Sequence, residues 1–218
     1  MLRVSKRLTE IARLISANRL IDIGTDHGLL PIYALEQGIV SMAIGGDKSP
    51  LALANARANQ ERSIDGEKLS LICTDGLEAI PLAAGDCIVL AGIGGRLITQ
   101  IIDGDAVEKC SQLITQANSD QPVLRAFLSR RGWQIEQETI IQHHKKIYIT
   151  ISWRRGKEHL TEKECYLGKK LADERPQLWL DWLVKERLRI LRIQSSRGVL
   201  SAEQSQHLSW LVEEITLG

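Results

Sequence analysis

The feature that most restricts the fold is a repeated alternation of short apolar runs and helical stretches over the first half of the chain. Residues 19–24 (RLIDIG), 41–47 (SMAIGGD), 68–75 (KLSLICTD), 86–92 (DCIVLAG) and 111–116 (SQLITQ) have the length and the Ile, Leu and Val content of strands. Between them, residues 32–38, 50–60, the region of Leu77, 96–102 and 122–132 carry helical patterning. Strands that are apolar throughout are those buried on both faces. The repeat therefore predicts a doubly covered, mostly parallel α/β sheet, in which ligands sit beyond the carboxyl ends of the strands.

The flanks read differently. Leu8, Ile11, Ala12 and Ile15 recur at helical spacing with Arg7, Glu10 and Arg13 between them, which predicts an amphipathic opening helix. Residues 133–142 and 145–153 meet at His143 and His144 with no helix between them, which predicts an antiparallel hairpin closing the sheet. After Arg154 the patterning is helical only: Thr161 to Glu164 and Ser201 to Gln204 fit capping boxes, and Pro176 and Gly198 punctuate the segments. Trp179, Trp182, Leu183, Ile190 and Ile193, with Leu208, Leu211, Val212 and Ile215, form two apolar stripes suited to an antiparallel helix pair. A boundary near Gly156 would separate a catalytic domain, 1–156, from a helical C-terminal domain, 157–218.

Composition excludes some classes and leaves others open. A net charge of +1 neither demands nor forbids a nucleic-acid partner, because a local basic face can be masked elsewhere. Cys73, Cys87, Cys110 and Cys165 form no CxxC pair, so no zinc site or disulfide framework is expected and buried thiols are. No apolar run approaches the ~20 residues that span a bilayer, and residues 1–15 lack a signal-type stretch, which predicts a cytoplasmic protein without a membrane partner.

Chemistry concentrates where strands end. Residues 21–31 (IDIGTDHGLLP) run from a strand through a small-residue turn into a helix, and Gly24, without a Cβ, lets a ligand approach the backbone. The turn lacks GxGxxG; the acidic Asp22 before its glycine suits a cationic amino-acid end better than a pyrophosphate, which disfavours NAD. Asp47 ends the second strand, where a carboxylate accepts from ribose hydroxyls, and Asp75 ends the third, where it can accept from an adenine amine. Any one of these acids could be an ordinary turn residue; the ordered set at three successive strand ends carries the argument. The fourth strand ends in Ala91-Gly92-Ile93-Gly94-Gly95, whose exposed backbone can line the slot where a nucleophile meets a transferred group.

Ser5-Lys6-Arg7-Leu8, the motif DIGTDHGLLP from Asp22 to Pro31, Asp75-Gly76-Leu77, the loop from Ala91 to Gly95 and the helical extension together resemble the tRNA (adenine-22-N1)-methyltransferase, or TrmK, family over nearly the whole length. The resemblance implies a Rossmann-like class I methyltransferase sheet, S-adenosylmethionine as donor and N1 of an adenine in tRNA as acceptor. It implies Asp26 and His27 at the methyl end, and Asp22, Gly24, Thr25, Asp47, Lys48, Asp75, Gly76, Ala91 and Gly92 around the cofactor. Gly94, Gly95, Gln116, Asn118, Lys6 and Arg7 are implied on the substrate side. No metal is implied, and a monomer or weak dimer is compatible with it. Two departures stand out: Gln116-Ala117-Asn118 replaces a QPN-like sequence, and Asp47 occupies a position where Glu also occurs.

Adenine N1 lies on the Watson–Crick edge, so the base must be splayed out, and basic residues must grip the RNA. Candidates are Lys6, Arg7, Arg125, Arg130, Arg131, Lys145, Lys146, Arg154, Arg155, Lys157, Lys169, Lys170, Arg187, Arg189 and Arg192, many of which would equally serve as solvated helix faces. With aromatic residues at 4%, a broad stacking platform is not indicated, and the tail is expected to clamp folded RNA. Two other readings remain: a methyltransferase of the same fold with a different RNA, protein or small-molecule acceptor, and a non-catalytic RNA-binding relative.

Overall fold

Each of the five apolar runs forms a strand in the computed structural model, which describes residues 4–217. Strands β1 (Arg19–Ile23), β2 (Met42–Asp47), β3 (Leu69–Cys73), β4 (Cys87–Ile93) and β5 (Gln112–Ala117) pair in parallel. The hairpin β6 (Trp133–His143) and β7 (Lys146–Arg155) completes a seven-stranded sheet of order β3-β2-β1-β4-β5-β7-β6. Strand β7 is antiparallel to both β5 and β6, so the hairpin folds back on itself and leaves β6 at the edge.

Alternate residues of one strand feed opposite cores. Ile21, Ile88 and Leu113 join a cluster with Leu124, Trp133 and Trp153, while their neighbours Leu20, Val89 and Ile114 join one with Ile11, Ile32 and Leu35. Helices α1 (Lys6–Arg13), α2 (Leu29–Glu36), α3 (Pro50–Gln60), α4 (Gly95–Ile101) and α5 (Gln121–Arg130) cover the two faces. The opening helix is capped by Ser5, whose Oγ accepts from the Leu8 amide, and residues 1–3 of that segment lie outside the described residues. Strand β1 is flanked by β2 and by β4, so the chain reverses direction across the sheet beside β1 and opens a crevice at the carboxyl ends there.

Two expectations fail locally. The Leu77 region is a run of turns, because Gly76 takes a φ of 85° and the Thr74 hydroxyl donates to the Gly76 carbonyl; Leu77 and Ile80 still reach the core. Of the four thiols, Cys87, Cys110 and Cys165 are buried but Cys73 is exposed, since it ends β3, the strand at the other edge of the sheet. Among the described residues no helix is long and apolar enough to cross a membrane.

Beyond β7, helices α6 (Glu162–Leu167), α7 (Lys169–Glu174), α8 (Gln177–Arg197) and α9 (Ala202–Thr216) follow, and both capping boxes form with reciprocal hydrogen bonds. Arg175, just before α8, donates to the Glu214 carboxylate at 2.7 Å and carbonyl at 2.8 Å near the end of α9, so the two long helices run antiparallel. Their seam buries Trp179, Leu183, Ile190 and Leu211, whereas Val212, expected in the stripe, is exposed.

The tail is anchored to the sheet by a buried ion pair. Arg125 on α5 donates to Glu138 on β6 at 2.7 Å and to the Cys165 carbonyl at 2.8 Å, with both side chains fully buried. The second Glu138 oxygen accepts from the amides of Lys170 and Leu171, at the start of α7. Gly168 (φ 89°) lets the backbone pass, since a Cβ there would lie 3.0 Å from the carboxylate and 3.1 Å from the guanidinium. Arg125 is thus withdrawn from the RNA-gripping set: it faces inward on α5, and its charge is spent on Glu138.

Candidate active site

The turn after β1 concentrates unusual backbone. Gly24, Asp26 and Gly28 have φ of 75°, 50° and 67°, and Asp26 is held in this left-handed conformation by its own amide, which donates to Asp47 Oδ2 at 3.1 Å. Such a conformation costs a non-glycine residue about 1 kcal/mol or more and aims the side chain outward. Asp26 and His27 are 68% and 51% exposed, with His27 Nε2 3.5 Å from Asp26 Oδ2. The Asn59 side chain donates to the His27 carbonyl at 2.9 Å, which ties the turn to α3.

Behind this exposed pair lies Asp22, buried at the end of β1. Its Oδ2 accepts from the Thr25 hydroxyl at 2.7 Å. Burial pushes its carboxyl up to about 6, against the hydrogen bond from Thr25 and the charge of Arg7, while Asp47 adds to the rise. A small cavity of about 120 Å³ is lined by Asp22, Gly24, Thr25, Asp26, His27 and Arg7, with Leu8, Leu29, Leu30 and Ala91 as its apolar wall. Among the described residues nothing lies within 4 Å of where a Gly24 Cβ would stand, so the turn leaves open space on that side.

The next strand ends extend the site across the sheet. Asp47 accepts from the amides of Asp26 and Ser49, which fixes its carboxylate and leaves lone pairs for hydroxyl donors. Asp75 is 82% exposed, and Lys48 sits 3.9 Å from it. An anionic buried pocket, a glycine opening and two further carboxylates fit a ligand with an ammonium at one end and ribose and adenine at the other. Among the described residues no His, Cys, Asp and Glu cluster could hold a metal ion.

On the other side a chain of hydrogen bonds joins the first helix to β4. Arg7 Nη1 donates to Gln116 Oε1 at 2.8 Å, Gln116 Nε2 donates to Asn118 Oδ1 at 3.2 Å, and Asn118 Nδ2 donates to the Gly92 carbonyl at 2.6 Å. The arginine at one end fixes the polarity of every amide after it. Gln116 is fully buried and spends both side-chain atoms on this relay; Asn118 is at the surface, and Arg7 also lies 5.7 Å from the Tyr148 ring centre. Tyr148 escaped the sequence reading, although its place between Ile147 and Ile149 on β7 puts it on the opposite face from them. Gly94 caps α4, and Gly95 packs so tightly that a Cβ would stand 2.6 Å from the Asp120 carbonyl; Gly95 therefore seats the two loops on each other. Gly76 makes the turn beside Asp75, and Lys6 is exposed on α1.

The family described as a methyltransferase domain matches residues 4–151. The chain belongs to this family. Over 150 residues this methyltransferase is 33% identical to the tRNA (adenine(22)-N(1))-methyltransferase of Bacillus subtilis, an alignment covering 67% of the chain and 63% of that enzyme. The crystal structure of the B. subtilis m1A22 tRNA methyltransferase TrmK superposes with a TM-score of 0.82 at 28% identity, covering all of this chain and 97% of the other. A Streptococcus pneumoniae protein, described as a candidate tRNA (m1A22) methyltransferase and solved in complex with S-adenosyl-L-methionine, superposes with a TM-score of 0.89 at 26% identity, over 98% and 100% of the two chains. Both solved structures are thus of m1A22-type tRNA methyltransferases, to which this chain is similar over nearly its whole length.

The basic residues separate into two sets. Arg131 is bound to Asp103, Arg154 to Glu136, Lys169 to Glu158 and Arg189 to Glu186, and Arg155 lies over the Trp133 ring at 4.1 Å. Lys145, Lys146, Lys157, Arg187 and Arg192 are exposed and enter no ion pair among the described residues.

Proposed function

We propose that this methyltransferase transfers the methyl group of S-adenosylmethionine to N1 of an adenine in tRNA, at position 22 by its similarity to the B. subtilis enzyme. The observation that carries the reading is the single cavity that joins buried Asp22 and open Gly24 to exposed Asp26 at the switch point of the sheet. The cofactor supplies a methyl on a sulfonium, which needs a positioned nucleophile more than an activated one. Asp22 and the Gly24–Thr25 turn would hold its ammonium, Asp47 its ribose hydroxyls, and Asp75 its adenine amine.

Adenine N1 carries a free lone pair at neutral pH, so alignment and desolvation are the work left to the protein. As the N1–C bond forms and the S–C bond breaks, positive charge develops on the ring. The Asp26 carboxylate at the mouth can accept from the exocyclic amine and stabilise that charge, with His27 beside it restricting its rotamers. Gln116 acts through the relay by positioning Arg7 and Asn118. The exposed unpaired cations and the helical unit of residues 157–218 would grip the tRNA around the splayed adenine.

The deciding experiment is transfer of labelled methyl to unmodified tRNA with identification of the product nucleoside, run beside Asp26→Ala. The expected product is 1-methyladenosine, with kcat down about a hundredfold in the variant and cofactor affinity nearly unchanged. Cofactor binding without methylation of any tRNA would assign the site to another acceptor.

A further inference from the structure

A second cavity, of about 500 Å³, opens one loop away from the candidate active site, between that loop, β7 and α8. Its walls include Asn118, whose amide ends the relay to Gly92, and, across from it, Tyr166, Trp182 and Arg189. The volume lies in the range of sites that enclose small organic ligands.

Three observations define what fits. Ile147, Ile149, Tyr166 and Trp182 give apolar and aromatic walls, with the two rings tilted and 6.3 Å apart. The acids at the rim are already matched: Asp120 to Arg96, and Glu186 to Arg189 and to the Tyr166 hydroxyl. A free phosphate or cation would therefore find no unspent countercharge. Two polar atoms on the lining residues have no partner among the described residues, Gln121 Oε1 and Arg125 Nη2, and the Arg125 side chain is fully buried. The Gln121 amide cannot be turned to relieve this, because its nitrogen already faces two carbonyls, those of Ala117 and Ile149. Apolar and aromatic walls without spare charge suit a neutral planar heterocycle, and the two unpaired atoms, shielded beneath the lining, mark where a side-chain shift would give it an acceptor and a donor.

We infer that this cavity is a second base subsite, which receives a nucleobase next to the target adenine in the same RNA. The inference rests on the function proposed above, which requires the target base to leave its stack and so strips its neighbours of a stacking partner. Trp182 replaces that partner, since one face of Tyr166 is already stacked on His207 at 3.7 Å, and Asn118, shared by both sites, sets the spacing between the two bases. The tail helix thereby contributes to nucleotide recognition through α8.

The test is a cycle between protein and RNA. Trp182→Ala and Trp182→Phe are assayed for methyl transfer on intact tRNA and on tRNAs with an abasic site on the 5′ or the 3′ side of the target. Trp182→Ala is expected to raise KM for intact tRNA about tenfold, at the lower end of base–aromatic stacking, with kcat and cofactor affinity little changed and with recovery in Trp182→Phe. One of the two abasic tRNAs should raise KM equally for the parent, with no further loss in Trp182→Ala. Losses that simply multiply for both abasic positions would overturn the subsite. Should Trp182→Ala lower the melting temperature, the parent enzyme decides: 4-thiouridine flanking the target should crosslink within residues 117–122, 147–149 or 182–189, and crosslinking only elsewhere would also overturn it. A parent that binds cofactor and methylates no tRNA would instead sink the underlying function.

Discussion

Two buried carboxylates show how differently this chain treats the same chemical group. Glu138, at the junction of sheet and tail, accepts from the Arg125 guanidinium and from two backbone amides, and its charge is fully answered. Asp22, near the end of β1, has one hydroxyl donor among the described residues, and burial leaves its carboxyl pushed up to about 6. The first arrangement fixes architecture; the second leaves an under-solvated carboxyl, which is what the proposed role in holding a cationic ligand end asks for. A site of this kind holds binding energy that the free protein gives up as stability.

Removing one member of the buried Arg125–Glu138 pair has the largest expected effect. Glu138→Ala strands Arg125 in the interior and should cost about 3–5 kcal/mol in a denaturant titration. Replacing both residues with methionine should recover most of that loss, and a double variant as unstable as the single one would show that the amide contacts at α7 dominate.

Asp22→Asn should act in the opposite direction on the free protein. A carboxyl whose folded value lies above its unfolded one adds stability at low pH that disappears as pH rises through about 6. The asparagine variant should therefore be more stable at pH 7.5, by on the order of 2–3 kcal/mol, and should lose most cofactor affinity. Equal melting temperatures for parent and variant across pH 5–8 would contradict the account of Asp22. Cofactor affinity of the parent should itself fall about tenfold between pH 7.5 and pH 5 as Asp22 takes up a proton, by calorimetry at constant ionic strength.

The smallest effect is expected at the relay. Gln116→Leu removes the Arg7 partner and frees Asn118, and should lower kcat about tenfold with a smaller change in cofactor affinity. Unchanged turnover would leave Gln116 as a packing residue only.

The sheet was legible because its strands are apolar on both faces and end in Asp22, Asp47 and Asp75, signals that need no tertiary context. The junction was not. In β6 the register shifts between Ile135 and Gln137, so Ile135 and Glu138 both face inward although three residues apart, and simple alternation gives the wrong side for Glu138. Arg125 was misread for the same reason: a basic residue in a helix looks solvated until its buried partner is known. Gln116 and Asn118 were visible as polar residues ending β5, but their bonding to each other, to Arg7 and to Gly92 depends on distances that spacing does not encode.

The opening helix also sets a timetable for the nascent chain. Its polar contacts to the sheet are distant: Arg7 waits for Gln116, and Leu14 and Ser16, just past the helix, wait for Gln112, at separations of 109, 98 and 96 residues. At ribosomal speeds of about 5–20 residues per second, roughly 5–20 s pass between synthesis of that helix and of its β5 partners. This helix is made before the strands that hold it and is then among the last elements to be locked, and the Arg7 wall of the Asp22 cavity closes only after five strands exist.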